Sequence, residues 1–183
     1  MGMSAPVYYT ADMVRAMPSD GNRYETVHGE LLVTPAPRAW HQVVVQRLSR
    51  ALDIYLEDQR DFFLFASAAD ISWGPDVLVQ PDLFVLPTAE AKTLDWSQMQ
   101  GLLLAIEVLS PATARHDRFT KRRLYQEVGI PSYWVVDADQ RFVETWRPGS
   151  TVPQLVHDTL SWTAPGASTG FGLSLDRLFA PIG

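Results

Sequence analysis

Two short stretches of this sequence are so apolar that a fold has to bury both, and each holds a single carboxylate. Leu102 to Leu109 is broken only by Glu107 and reads as a central strand covered on both faces. Val77 to Leu86 reads as a strand entered from the turn Gly74-Pro75-Asp76, and it is interrupted at Pro81-Asp82. A carboxylate buried without a partner is costly, so Asp82 and Glu107 each require a cation, a donor or water beside them. Proline removes a ladder donor and is tolerated at edges and irregularities, so Pro81-Asp82 marks a bend that aims the aspartate into a cleft.

The rest of the chain alternates between the two periodicities. Thr10-Ala11-Asp12 opens a short helix that Pro18-Ser19-Asp20-Gly21 closes. Arg23 to Val27 and Glu30 to Thr34 flank His28-Gly29, which predicts a hairpin. After Pro35-Ala36-Pro37 a long helix is expected from about Trp40 to Gln59, because Val44, Leu48, Leu52, Tyr55 and Leu56 share one face. Phe62 to Ala66 and Ile71 to Trp73 read as strands, and Thr88 to Gln100 as a loop or short helix. A second helix from about Asp117 to Val128 ends at Gly129 with Pro131 beyond it. Tyr133 to Asp137 reads as a buried strand, Phe142 to Trp146 as its return, and Gln154 to His157 as a last strand. Gly170-Phe171-Gly172 falls in what reads as a polar tail. The order predicts an α/β fold with a mixed central sheet flanked by helices and an N-terminal hairpin, as one domain over residues 1–183.

Composition narrows the chemistry. With no cysteine, thiol catalysis, cysteine zinc sites and iron–sulfur clusters are excluded. Lys+Arg 15 against Asp+Glu 21 gives a net charge of -6, which excludes a protein that coats nucleic acid electrostatically. An enzyme that meets a polyanion at one patch and holds a cation there remains compatible. Met1 to Tyr9 lacks the basic start and apolar core of an export signal, and no apolar run approaches the roughly 20 residues of a membrane helix. The expectation is a cytoplasmic protein with no membrane partner.

Two carboxylates on neighbouring strands would form a hard-oxygen site suited to Mg²⁺, which takes carboxylates, water and substrate phosphate at about 2.1 Å. Either carboxylate taken alone reads first as a strand-end cap or the partner of an arginine, and it is the pair that points to a metal site. The helix after Glu107 carries Arg115, His116, Arg118, Lys121, Arg122 and Arg123 against Asp117, cations that could answer the carboxylates or a phosphate, or form a solvated face. Lys121 is one of two lysines in an arginine-rich chain, and a desolvated lysine can orient or activate water. Ser110 lacks a nucleophile elbow and reads as a turn residue, and Trp134 and Trp146 read as packing.

In this order, Pro81-Asp82, Glu107-Val108-Leu109 and Lys121 resemble the PD-(D/E)XK nuclease superfamily, with Leu109 standing where the general motif has its lysine. Some members carry that lysine on the following helix, and the whole string resembles the Uma-two family of restriction-endonuclease-like proteins. Tyr24-Glu25, His28-Gly29-Glu30-Leu31, Pro35 to His41, Glu107-Val108-Leu109-Ser110-Pro111, Asp117 with Lys121 and Tyr125, and Gly129-Ile130-Pro131-Ser132-Tyr133-Trp134-Val135-Val136-Asp137 follow its pattern, over about residues 10 to 147.

The resemblance implies a restriction-endonuclease-like core and metal-dependent hydrolysis of phosphodiesters, with nucleic acid, DNA first, as the partner. Asp82, Glu107 and the Val108 carbonyl would hold Mg²⁺ or Mn²⁺, and Lys121 would position the attacking water. Glu30, or Glu25 in its place, is a further candidate acid, and His41 a candidate contact to phosphate or metal shell. Two alternatives stay open: an inert nuclease-like scaffold that dimerises or binds nucleic acid, and a phosphodiesterase acting on RNA or a small nucleotide. A homodimer would supply a second copy of the basic helix.

Overall fold

The computed structural model describes residues 7–183, so Met1 to Pro6, part of the segment read for an export signal, lie outside the described residues. Helix α1 (Ala11–Arg15) leads to the hairpin β1 (Arg23–Val27) and β2 (Glu30–Thr34), then to α2 (Ala39–Leu56). Four strands follow: β3 (Phe62–Ala66), β4 (Ile71–Gly74), β5 (Val77–Val79) and β6 (Leu83–Pro87). After α3 (Thr88–Ala91) comes β7 (Leu104–Val108), and then a π-type turn, His116–Lys121, that runs directly into α4 (Arg122–Glu127). The chain ends with β8 (Ser132–Asp137), β9 (Phe142–Trp146), β10 (Gln154–Val156), β11 (Thr159–Trp162), β12 (Phe171–Ser174) and α5 (Leu175–Leu178).

The strands form a six-stranded sheet in the order β10-β9-β8-β7-β6-β3, a four-stranded sheet β2-β1-β5-β4, and the separate pair β11-β12. The large sheet is mixed, because β7 runs parallel to β8 while its other pairs are antiparallel. Alternation along the strands assigns two cores. On one face Leu83, Val85, Leu104, Ile106, Val108 and Trp134 pack against the Val44, Leu48, Leu52 and Leu56 stripe of α2. On the other, Phe84, Ala105, Tyr133 and Val135 meet Val27, Leu32, Ile71 and Val79 of the small sheet, with Leu124 and Tyr125 of α4. Helix α1 covers the outer side of the small sheet through Ala11 and Val14 on Leu78.

The mixed α/β architecture, its flanking helices and the N-terminal hairpin are those the sequence predicts, and His28 and Gly29 turn the hairpin at φ 50° and 81°. Three local expectations change. Val77 to Leu86 is not one strand: β5 belongs to the small sheet and β6 to the large one, and the chain crosses between them at Gln80-Pro81-Asp82. Proline ends the ladder there, so the bend is a change of sheet. The helix expected from Asp117 begins as the π-type turn, where the Tyr133 hydroxyl donates to the Asp117 carbonyl at 2.9 Å. The polar tail is folded: β11 and β12 pair, and Leu160, Phe171, Leu175, Leu178 and Phe179 are buried against the α2 side of the sheet. Among the described residues no helix is long and apolar enough to cross a membrane.

Candidate active site

The last antiparallel pair between β6 and β7 is Leu83 with Ile106, so Asp82 and Glu107 stand opposite each other one step beyond it. Cross-strand neighbours share a face, and here it is the face between the two sheets, since Phe84 and Ala105 point there. Asp82 lines a cleft of about 290 Å³ together with Arg23, His41, Val108, Ser110 and Thr113. Both Asp82 oxygens are engaged. Oδ1 accepts from Arg23 Nη1 at 3.0 Å, and Oδ2 meets His41 Nε2 at 3.1 Å and accepts from the Val108 N–H at 2.8 Å.

Glu107 is engaged on one oxygen only: Oε1 accepts from Lys121 Nζ at 2.9 Å and from the Tyr125 hydroxyl at 3.1 Å. Lys121 reaches it because Asp117, Lys121 and Tyr125 recur every four residues along the turn and α4, all facing inward. The same ammonium lies 2.8 Å from Glu25 Oε1 and 3.6 Å from Asp117 Oδ1. Glu25 reaches it from β1, where Arg23, Glu25 and Val27 alternate onto the inner face. Glu25 Oε1 also accepts from the Gln80 N–H at 2.6 Å, which fastens the crossover to the hairpin.

Four buried carboxylates, Glu25, Asp82, Glu107 and Asp117, therefore share two permanent cations, Lys121 and Arg23. The imbalance sets the protonation energetics. Burial, then the neighbouring charges of Asp117, Asp82 and Glu25, push the Glu107 carboxyl well above the usual carboxylate range against the pull of Lys121. Burial opposes the Lys121 charge, but Glu107, Glu25 and Asp117 outweigh it and raise the ammonium above its ordinary value. Burial also opposes the Asp82 charge, yet the His41 hydrogen bond, Arg23 and the Val108 N–H bring it down to about 2.

Three of the four buried side-chain polar atoms without a hydrogen-bond partner among the described residues belong to this place: Arg23 Nε, Glu25 Oε2 and His41 Nδ1. Buried polar atoms are normally satisfied, so such a concentration marks a place built for something other than stability. Among the described residues no three His, Asp or Glu side chains form a chelating group.

The Uma2 family, described as a putative restriction endonuclease, matches residues 11–176. The chain belongs to that family. A solved structure from Anabaena variabilis, described as a putative nuclease belonging to DUF820, superimposes on this Uma2 chain with a TM-score of 0.76 at 18% identity. It covers 94% of this chain and 98% of that one, a likeness of fold. No curated protein matches the chain.

Within this Uma2 fold the residues singled out from sequence are distributed as follows. Asp82, Glu107 and Lys121 are brought together, with the Val108 backbone beside Asp82. His41 is buried against Asp82 and not at the surface, because it continues the inward stripe of Val44, Leu48 and Leu52 one turn back. The hairpin turns Glu25 inward and leaves Glu30 exposed, 4.0 Å from His116 Nδ1. Sequence reasoning missed Arg23. Its period-two spacing from Glu25 and Val27 was visible, but its partner Asp82 lies 59 residues away.

Proposed function

We propose that this chain is a divalent-metal-dependent nuclease that hydrolyses phosphodiester bonds, with DNA as substrate. The observation that carries the reading is the buried, cross-strand pair Asp82 and Glu107 with Lys121 bonded to Glu107.

The residues fit a divalent cation on two grounds. With all four ionised, the buried carboxylates exceed the permanent cations Lys121 and Arg23 by two negative charges, the charge of one such ion, and a bound cation would relieve the crowding that raises Glu107. The Glu107 hydrogen bonds both fall on Oε1, which leaves Oε2 as a ligand atom. Mg²⁺ takes one or two carboxylates together with waters and substrate phosphate, so a pair with a backbone carbonyl suffices where no three-side-chain chelate exists.

Asp82, Glu107 and the Val108 carbonyl would hold Mg²⁺ or Mn²⁺, which supplies charge stabilisation at the scissile phosphate and acidifies a water. Lys121 stays an ammonium in this setting, so it donates to the attacking water and orients it but does not accept its proton. Its bond to Glu107 Oε1 holds it beside that carboxylate. His41 and the Val108 N–H fix the Asp82 carboxylate. Arg23 opens onto the cleft, where a guanidinium can take a phosphate oxygen.

One observation favours a second reading, an inert scaffold: Lys121 and Arg23 already close the network on themselves. Incubation of supercoiled plasmid and single-stranded DNA with Mg²⁺ or Mn²⁺, with RNA and a small-nucleotide diester as further arms, separates the readings. The native chain is expected to cut DNA, and Asp82→Ala and Glu107→Ala to be silent. Cutting that survives both substitutions overturns the assignment, cutting of RNA or the small diester alone changes the substrate, and no cutting leaves the scaffold. A homodimer is part of the proposal, and sedimentation showing monomer alone would remove it.

A further inference from the structure

The segment 115–125 has two faces built on the same four-residue step. The inward one carries Asp117, Lys121 and Tyr125 into the site. The outward one carries Arg115, Phe119 and Arg123, all exposed, Phe119 at 56%. The cations of this segment divide accordingly. Arg118 pairs with Asp137 and Glu144, Lys121 with Glu107 and Glu25, and Arg122 bonds Gln126 and sits 4.8 Å from the Trp146 ring centroid. Arg115 and Arg123, with no ion pair among the described residues, join Phe119, His28 and His116 around a groove of about 780 Å³.

We propose that this groove is a binding lane for single-stranded nucleic acid, in which Phe119 stacks a base and Arg115 and Arg123 hold the phosphates on either side. The proposal rests on the nuclease reading and specifies the form of its substrate. Phe119 is set between two arginines that have no ion-pair partner among the described residues, and a base offers an aromatic ring a flat partner whatever its sequence. An acidic peptide would satisfy the arginines and leave the ring unmatched. A duplex keeps its base faces stacked inside the helix, so only an unpaired strand supplies both groups. The chain's net charge of -6 also opposes a long duplex more than a short strand held locally.

The groove and the cleft border the two ends of β2. Glu30, at one end of β2, and Arg115 and His116 border the groove. Thr34, at the other end of β2, with Ser110 and Thr113, borders the cleft. Four strand steps of about 3.3 Å separate the two ends, about 13 Å, a distance that a few nucleotides cover.

The test is fluorescence anisotropy of a labelled oligothymidylate with the full chain in chelator, where binding is read without cleavage, against a duplex of matched length. Phe119→Ala is expected to weaken single-strand binding by about 5- to 150-fold, and Phe119→Trp to keep it. Arg115→Ala with Arg123→Ala is expected to weaken it and to lower the salt slope by about 0.7 for each phosphate no longer neutralised. These side chains are exposed, so unchanged circular dichroism checks the fold of each variant.

Native affinity and slope in all the variants would overturn the proposal. So would tighter binding of the duplex, or equal displacement of the oligonucleotide by polyglutamate. Cleavage of the same single-stranded oligonucleotide with Mg²⁺ or Mn²⁺ by the same preparations keeps the two readings apart: metal-dependent cutting with unaltered variant binding sinks the lane alone, and Phe119-dependent binding without cutting by the native chain sinks the nuclease alone.

Discussion

Lys121 Nζ lies 2.9 Å from Glu107 Oε1, with the two side chains 2% and 1% exposed, and the same ammonium bridges to Glu25 and Asp117. A buried ion pair is costly to form but far costlier to break from one side, because the remaining charge has nowhere to go. Here three carboxylates depend on one cation.

Replacement of Lys121 by methionine is therefore expected to destabilise the fold by about 3–5 kcal/mol. Lys121→Arg, which keeps the charge, is expected to lose less. Urea unfolding of the native chain and both variants checks this, and equal stability of Lys121→Met would show that the carboxylates do not rely on the ammonium.

The acid limb of stability follows from Asp82. Burial acts against its ionisation, but the His41 bond, Arg23 and the Val108 N–H hold its carboxyl at about 2 against the ordinary 3.8. A folded value below the unfolded one contributes stability that is present above 3.8 and lost as pH falls through about 2, roughly 2 kcal/mol in all. Glu107 has the opposite sign. Its folded value is raised, chiefly by burial, so stability is gained as pH falls through that raised value toward 4.5 and lost on the way back up. Unfolding free energies across acid and neutral pH should show a Glu107-dependent gain on mild acidification that is missing in Glu107→Gln. They should also show an acid-side fall that is shallower in Asp82→Asn.

Removal of residues 158–183 is expected to abolish folding. Leu160, Phe171, Leu175, Leu178 and Phe179 are buried on the α2 side, and five such side chains contribute about 10 kcal/mol, comparable to the roughly 5–15 kcal/mol of a whole domain. Far-ultraviolet circular dichroism and a thermal scan of the truncated chain check it. A cooperative transition near the native one would contradict it.

That segment is also where the sequence was least legible. β7 was readable because a buried parallel neighbour makes its run continuously apolar, and α2 because its inward stripe is regular. β11 and β12 are four residues each, with Ser161, Gly172 and Ser174 on their outer positions, so their apolar residues do not form a run. The site was legible where charge interrupts apolar sequence, at Asp82, Glu107 and Lys121. It was not legible at Arg23, whose strand looks like an ordinary half-exposed hairpin until β6 brings Asp82 to it. His41 was open to the same stripe argument as Val44 and Leu48, but a histidine at a helix start reads as a cap.

His41 is expected to tune the metal without touching it. Hydrogen-bond partners of ligating carboxylates commonly change affinity by about 10- to 100-fold when removed. His41→Ala should raise the Mg²⁺ concentration for half-maximal cleavage by a factor in that range, and His41→Gln, which keeps a donor for Asp82 Oδ2, should recover part of it. An unchanged midpoint in His41→Ala would leave the histidine a packing residue.

Whether Asp82 and Glu107 together hold a divalent ion is tested most directly by calorimetric titration of Mn²⁺ into the native chain and into Asp82→Asn with Glu107→Gln. Stoichiometric binding is expected for the native chain, with its loss in the double variant while both remain folded. Equal binding by the two, or none by the native chain, would contradict a metal centre built on this pair.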